Sequence, residues 1–484
     1  MFSSWFGETA PPPGMRVVPC NGLDLASVEM VLTTAFIVNG RLDASKLEDT
    51  LTALIVQNFP RAGSRLAHRN GVYEFQIPEQ FDATTRAIAF TVEDFPEPYE
   101  SPSRPSIANL LIASAPEPFV CDAPQLQPFF RSSTCPHSLQ DCLKPNTPLL
   151  HVHVAAFADA TFIGLSSTHA LFDALGTRTL VHAWTRVLSG EPIEDIPGMP
   201  WDILPLASFT TPVPRGSHQR GWYDLGLFAK ALFIFYFLLA VYRDPKEEFK
   251  HVRVPKAFLE EEKRKIMDEL KESNEFVGSS DVLMAWWIKV LLLLIYTSTN
   301  PLQTSYQHRT DPTPLHLHIP VNLRPQPLFP TSALTTPYIN NAAMSISIPP
   351  LTASALASTP LGTLALHIRR AIAAYTADLP GIKQDLNFRC ASPGVVHFPC
   401  PVGAEYVITT NWRAAQFGQL DFSGAADADV KVLSVYSFLT TGNNMPMRGG
   451  GVILFEDQEA VWMVQVRGTR DWERVKAAGH IQFI

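Results

Sequence analysis

Two histidine–aspartate pairs share a four-residue spacing in this chain, His137-Ser-Leu-Gln-Asp141 and His169-Ala-Leu-Phe-Asp173. A histidine, with an ordinary pKa of ~6.5, is suited to take a proton from a hydroxyl or an amine at neutral pH. An aspartate four residues on, where a helix begins, can order the turn by capping it or by pairing with a basic group. So short a spacing also recurs by chance, and context must separate the two pairs. His137 lies in a Cys- and Pro-bearing loop with no strand before it. His169 follows the strand-like run TFIGLSST, Asp173 opens a helical pattern, and Gly176 permits close backbone approach. The proton chemistry is therefore expected at His169. The six cysteines, Cys20, Cys121, Cys135, Cys142, Cys390 and Cys400, form no CxxC pair and no zinc-ligand spacing. Neither a metal site nor a disulfide scaffold is expected.

The elements that must position His169 follow from periodicity. LLHVHVAAF and TFIGLSST predict an antiparallel hairpin turning at Ala158–Asp159–Ala160. Residues 173–188 predict a helix with Leu175, Leu180, Trp184 and Leu188 apolar, closed by Gly190. Upstream, Leu47, Leu51, Leu54 and Ile55 share one helical face that Pro60 ends, and GVYEFQIP alternates as a strand. Residues 96–147 read as a long surface connection. Six prolines in 190–222 mark the best linker, giving an N-terminal lobe (1–195), a linker (196–222) and a C-terminal lobe (223–484). Strands such as HLHIPVNL, AMSISI and AEYVITTNW interleave with helices such as AFLEEEKRKIMDELKES. The fold class is α/β with mixed sheets.

Composition narrows the partners. Of 484 residues, 46% are apolar and 17% charged, which excludes wholesale disorder. A net charge of −8 argues against a nucleic-acid binder working through counterion release. The opening stretch has no basic residue before Arg16, so no secretory leader is expected and the cytoplasm is the default. Two apolar runs invite a membrane test. Leu225–Tyr242 holds one charge, Lys230, and as a helix reaches ~27 Å against a ~30 Å hydrocarbon core. Val282–Tyr296 carries Lys289 in its middle. The first is expected to be a buried or half-buried core helix, with membrane-surface contact through 225–242 as the second reading and a true span as the third. The other is expected to pack in the core.

HALFDALG (169–176), SSDVLMAW (279–286), PVNLRP (320–325), TPYINNA (336–342) and TTNWRAAQFGQLDFSG (409–424) resemble, in order and spacing, the BAHD acyltransferases. The resemblance covers nearly the whole chain and is closest to fungal members. GRLDASKLEDTLTALIVQNFPRAGSRL resembles the family's opening helix and P-x-x-G-R-L turn, with Ser64 inserted before Arg65. Two motifs depart: DFGWG stands here as Asp421-Phe-Ser-Gly-Ala425, and Tyr-x-Gly-Asn as Tyr338-Ile-Asn-Asn341.

The resemblance implies a chloramphenicol-acetyltransferase-like fold of two pseudo-equivalent lobes, each with a mixed β-sheet and flanking helices, and a channel between them. It implies transfer of an acyl group, acetyl foremost, from coenzyme A to a hydroxyl of a small apolar secondary metabolite. The transfer proceeds in a ternary complex without a covalent intermediate. His169 would be the general base, Asp173 would order its turn, and Thr410 and Trp412 would lie on the oxyanion side. Gly176, Arg324, Tyr338, Asn341 and Asp421 carry structural roles, with Arg324 paired to Asp421. Acyl-CoA enters as co-substrate, no cofactor is permanently bound, and a monomer is expected. Two other readings remain open. Condensation-type acyltransferases carry HHxxxDG, whereas Thr168 precedes His169 here and Ala174 follows Asp173. A catalytically silent binding protein could keep the same fold.

Overall fold

Alternating β-branched and aromatic runs build two principal sheets, and apolar helical faces cover them. The computed structural model describes residues 12–484 apart from 105, 107–114, 213, 215–217, 297–313, 329–336, 392–394 and 443–446. The first eleven residues, read above for a leader, lie outside this range. The chain begins with β1 (Met15–Pro19), β2 (Met30–Asn39), helix α1 (Ala44–Asn58), β3 (Arg65–Arg69), β4 (Val72–Pro78) and β5 (Ala89–Asp94). It continues through β6 (Phe119–Asp122), β7 (His151–Ala156), β8 (Ala160–Thr168) and α2 (Ala174–Leu188). A small hairpin, β9 (His218–Gln219) with β10 (Trp222–Tyr223), precedes α3 (Leu227–Arg243), β11 (Glu247–Pro255), α4 (Lys256–Glu269) and α5 (Ser279–Tyr296). Next come β12 (Pro314–Asn322), β13 (Ala343–Thr352), α6 (Leu361–Ala377), α7 (Leu379–Cys390) and β14 (Glu405–Asn411). β15 (Val432–Thr441), β16 (Gly450–Glu456), β17 (Ala460–Gly468), α8 (Thr469–Ala478) and β18 (Gln482–Phe483) complete it.

One sheet runs β15–β2–β8–β7–β5 and the other β13–β12–β14–β16–β17–β11–β6–β18. Both are mixed: β5 and β7 pair in parallel, as do β12, β14 and β16, while the remaining pairs of the central strands are antiparallel. The architecture is two-lobed α/β. Each sheet takes a strand from the other side of the 196–222 segment, β15 joining β2 and β6 joining β11.

The predicted hairpin forms, with His151 opposite Ser166 and Ala156 opposite Thr161. β8 is buried along its whole length because it lies between β2 and β7. Helices α1 and α2 bury Leu47, Leu51, Leu54, Leu180, Trp184 and Leu188 in the core.

One expectation changes, and another holds only in its half-buried form. The 96–147 segment is more than a surface connection: it supplies β6 and buries Tyr99, Phe119, Phe130 and Leu139. Its short apolar pieces, broken by proline, carry too little periodicity to show this. The Leu225–Tyr242 run is helical as α3, yet none of its residues is buried. One side is half-buried against the protein and the other faces outward, because hydropathy alone does not say which face a neighbour covers. Helix α5 does pack in the core, with Val282, Leu283, Trp287, Ile288 and Leu291 buried. Its side chains from 292 onward lie outside the described residues.

Candidate active site

The chain leaves the sheet at His169. Thr168, the last residue of β8, donates its hydroxyl to the Val28 carbonyl, and the His169 N–H donates to the Met30 carbonyl at 2.8 Å. The imidazole is half-buried, and its Nδ1 is buried without a hydrogen-bond partner among the described residues. Consecutive carbonyls of the following turn are held from the other lobe. Asn341 Nδ2 donates to the carbonyls of His169 (2.9 Å) and Ala170 (3.0 Å) and to the Asp24 carboxylate (3.2 Å). Asn340 Nδ2 donates to the Leu171 carbonyl at 3.0 Å, while its Oδ1 accepts from the buried Arg61.

Asp173 sits in a dense set of donors. It caps α2, accepting the Gly176 N–H at 2.8 Å, and it accepts the Ala342 N–H at 2.9 Å. Arg324 completes the set as a two-pronged ion pair, Nη2 to Oδ1 at 2.8 Å and Nη1 to Oδ2 at 3.0 Å. Burial works to raise the Asp173 pKa, but the guanidinium and the N–H donors outweigh it and hold the carboxyl below its ordinary value. Asp173 thus braces the turn as a paired carboxylate, with its oxygens committed to Arg324 and to the N–H groups of Gly176 and Ala342.

That geometry corrects the expected Arg324–Asp421 pair. Besides Asp173, Arg324 donates from Nε to the Tyr338 carbonyl (2.9 Å), from Nη2 to the Asn340 carbonyl (2.7 Å) and from Nη1 to Asn322 Oδ1 (3.4 Å). Its five N–H groups are all engaged, leaving none for a second carboxylate. Asp421 is exposed and accepts the Ser423 N–H at 2.9 Å, opening a short 3₁₀ turn. The altered DFSGA segment braces the other end of α2. A Cβ on Gly424 would stand 2.1 Å from the Leu188 carbonyl oxygen, and the Phe422 ring meets Trp184 edge-on at 5.7 Å.

Gly176 is needed where it stands, since a Cβ there would fall 1.8 Å from the Ile339 carbonyl oxygen. Tyr338 is buried; its carbonyl accepts from Arg324, and its ring lies 6.0 Å from that guanidinium. Thr410 and Trp412 come at the end of β14, which runs parallel to β12 with Ile408 opposite His318. Beyond Ile408 the strand continues along β16, with Thr410 opposite Val452. Thr410 is half-buried. Trp412 is buried, its main-chain N–H donating to the Ile453 carbonyl and its ring 6.1 Å from Phe417.

The other histidine–aspartate pair is a local cap. Asp141 accepts from Lys144 Nζ, the Ser138 hydroxyl and the His137 N–H, and His137 is exposed. These donors, Lys144 first, pull the Asp141 carboxyl far below its usual range.

Asp24, Arg61 and Asn340 escape the sequence reading. Asn340 could be suspected as the neighbour of Asn341; Asp24 and Arg61 carry no local signal. Burial raises the Asp24 pKa to about 7 despite hydrogen bonds from Asn21 and Asn341 and the field of Arg61.

No protein-family model matches the chain. It is 27% identical over 460 residues to the acetyltransferase adrJ of Penicillium rubens, covering 87% of this chain and 85% of that one. It is 25% identical over 466 residues to the O-acyltransferase pboC of Aspergillus ustus, covering 90% and 92%. The structure of F. graminearum TRI101 complexed with coenzyme A and deoxynivalenol shares its fold, at a TM-score of 0.65 and 15% identity over 96% of this chain and 97% of that one.

Proposed function

We propose that this chain is a BAHD-type acyltransferase that uses His169 to move an acyl group from coenzyme A to a hydroxyl of a small apolar secondary metabolite, a reading supported by its acetyltransferase relatives and shared fold. The observation that carries the assignment of the base is the division of labour in the turn. Asp173 is consumed by Arg324 and two backbone N–H groups, while the imidazole four residues earlier keeps Nδ1 unpartnered among the described residues, on a main chain fixed at both its N–H and its carbonyl.

In this reading His169 takes the proton as the acceptor oxygen attacks the thioester carbonyl. The tetrahedral oxyanion collapses with cleavage of the C–S bond. The imidazolium returns the proton to the departing thiolate, giving ester and free coenzyme A, with no Ser or Cys nucleophile needed. Thr410 and Trp412 are the candidate donors toward the oxyanion side. The acetyl group is the proposed cargo, and a cytoplasmic monomer the proposed form. TRI101 complexed with both coenzyme A and deoxynivalenol supports an acceptor that is a compact, hydroxylated small molecule.

The test is a mass-spectrometric screen of acyl-CoA donors against hydroxylated terpenoid, polyketide and alkaloid acceptors. Product that carries the acyl mass and requires both substrates supports the reading. Absence of acyl transfer and of free thiol release across the panel would count against it.

A further inference from the structure

The outward face of α3 is apolar from end to end. Leu227, Phe228, Ile234, Phe235, Leu238 and Tyr242 recur at helical spacing on one side, with Leu227, Phe228 and Tyr242 more than four-fifths exposed. At about 200 Å² per aromatic side chain, the three rings alone expose about 440 Å². That is comparable to the ~300–600 Å² of the largest patch on a typical monomer, before the three aliphatic residues are added. The opposite side is fixed to the protein, with the Phe233 ring 4.8 Å from Phe398 and the Ala240 carbonyl accepting from Arg448.

We infer that α3 docks this protein onto a lipid bilayer surface, lying in the plane of the interface. Two observations favour lipid over a protein partner. Protein interfaces carry about one hydrogen bond per 100–200 Å², yet the outward face of α3 offers one polar atom, the Tyr242 hydroxyl, at its very end. The charges at that end are also sorted by sign. Arg243 and Lys246 are exposed, Lys246 reaching back to the half-buried Glu248 at 3.2 Å, whereas Asp244 and Glu247 are turned inward onto Arg448. An apolar face with a tyrosine and two cations at its margin matches the depth profile of an interface between acyl chains and anionic headgroups. Among the described residues no helix is long and apolar enough to cross a membrane, and the packed side of α3 binds it along the protein surface.

The test floats the purified full chain with phosphatidylcholine vesicles, with and without phosphatidylserine. The wild-type chain is expected to rise with both, and more strongly with phosphatidylserine. The double variant Phe235→Glu/Leu238→Glu should lose binding by about tenfold or more, and it should remain monomeric in sedimentation without lipid. Should that variant fail to fold, Arg243→Glu/Lys246→Glu decides: it should abolish the phosphatidylserine enhancement and leave binding to phosphatidylcholine unchanged. A wild-type chain that stays with the soluble fraction overturns the inference. So does a lipid-free wild-type dimer that the Phe235/Leu238 variant dissociates, which would assign the face to a second copy.

Discussion

Replacing Arg324 by alanine should unsettle the HxxxD turn without touching His169. The Asp173 carboxylate would lose both guanidinium bonds and keep only the N–H groups of Ala342 and Gly176. The two side chains are only 11% and 17% exposed, so water cannot replace the lost partner. Breaking such a pair costs about 3–5 kcal/mol, because the remaining charge is left buried. Complete melting of a chain of 484 residues carries on the order of 1 kcal/mol per degree. The expected loss is therefore about 3–5 °C in a calorimetric scan at neutral pH. A cycle with Asp173→Ala should be non-additive, the double variant costing about 1–3 kcal/mol less than the sum of the singles. The sign with pH is fixed as well. Asp173 titrates lower in the folded state, so its contribution is present above the unfolded carboxylate value of ~3.9 and is lost as pH falls through the folded one. The gap between wild type and Arg324→Ala should then close in acid. An Arg324→Ala melt within about 1 °C of wild type would refute this reasoning, as would an additive cycle or an equal loss in Asp421→Ala.

Gly176→Ala should destabilise by about 1–3 kcal/mol through the clash with the Ile339 carbonyl, although an unhindered helix gains about 1 kcal/mol from the same change; a melt at or above wild type would show that the close approach is not real. Asp24 binds its proton more tightly folded than unfolded, so wild-type stability should fall as pH rises from ~4 towards about 7 and then level off. Asp24→Asn, with no charge to bury, should lack that decline, whatever its offset at low pH. Denaturant curves across this range check it, and parallel pH profiles for the two proteins would reject the buried-carboxyl account.

The parts of the site that could be read from sequence are those decided locally. Asp173 reads as a cap because a cap is settled within four residues, and Gly176 because a small residue there signals close packing. The hairpin that ends at His169 reads from alternation alone. Arg324 is different: two aspartates, at 173 and 421, are chemically equal candidates in one dimension, and the choice falls to the crossing of two sheet ends. The resemblance favoured Asp421, whereas the folded chain gives Arg324 to Asp173. Asp24 and Arg61 have no signature, since they act through asparagines 317 and 279 residues away. Helix α3 shows the limit of hydropathy: a run apolar on every side reads as buried, but burial is conferred by neighbours and here they cover one side only.

Steady-state acyl-CoA turnover of His169→Ala beside His137→Ala tests the central claim most directly, with coenzyme A binding and the melting curve measured on the same samples. Removing a general base should lower turnover ~10²–10⁴ fold while coenzyme A affinity and fold persist, and the exposed His137 should be dispensable. Wild-type-like turnover in a correctly folded His169→Ala, or equal losses in the two variants, would contradict the account.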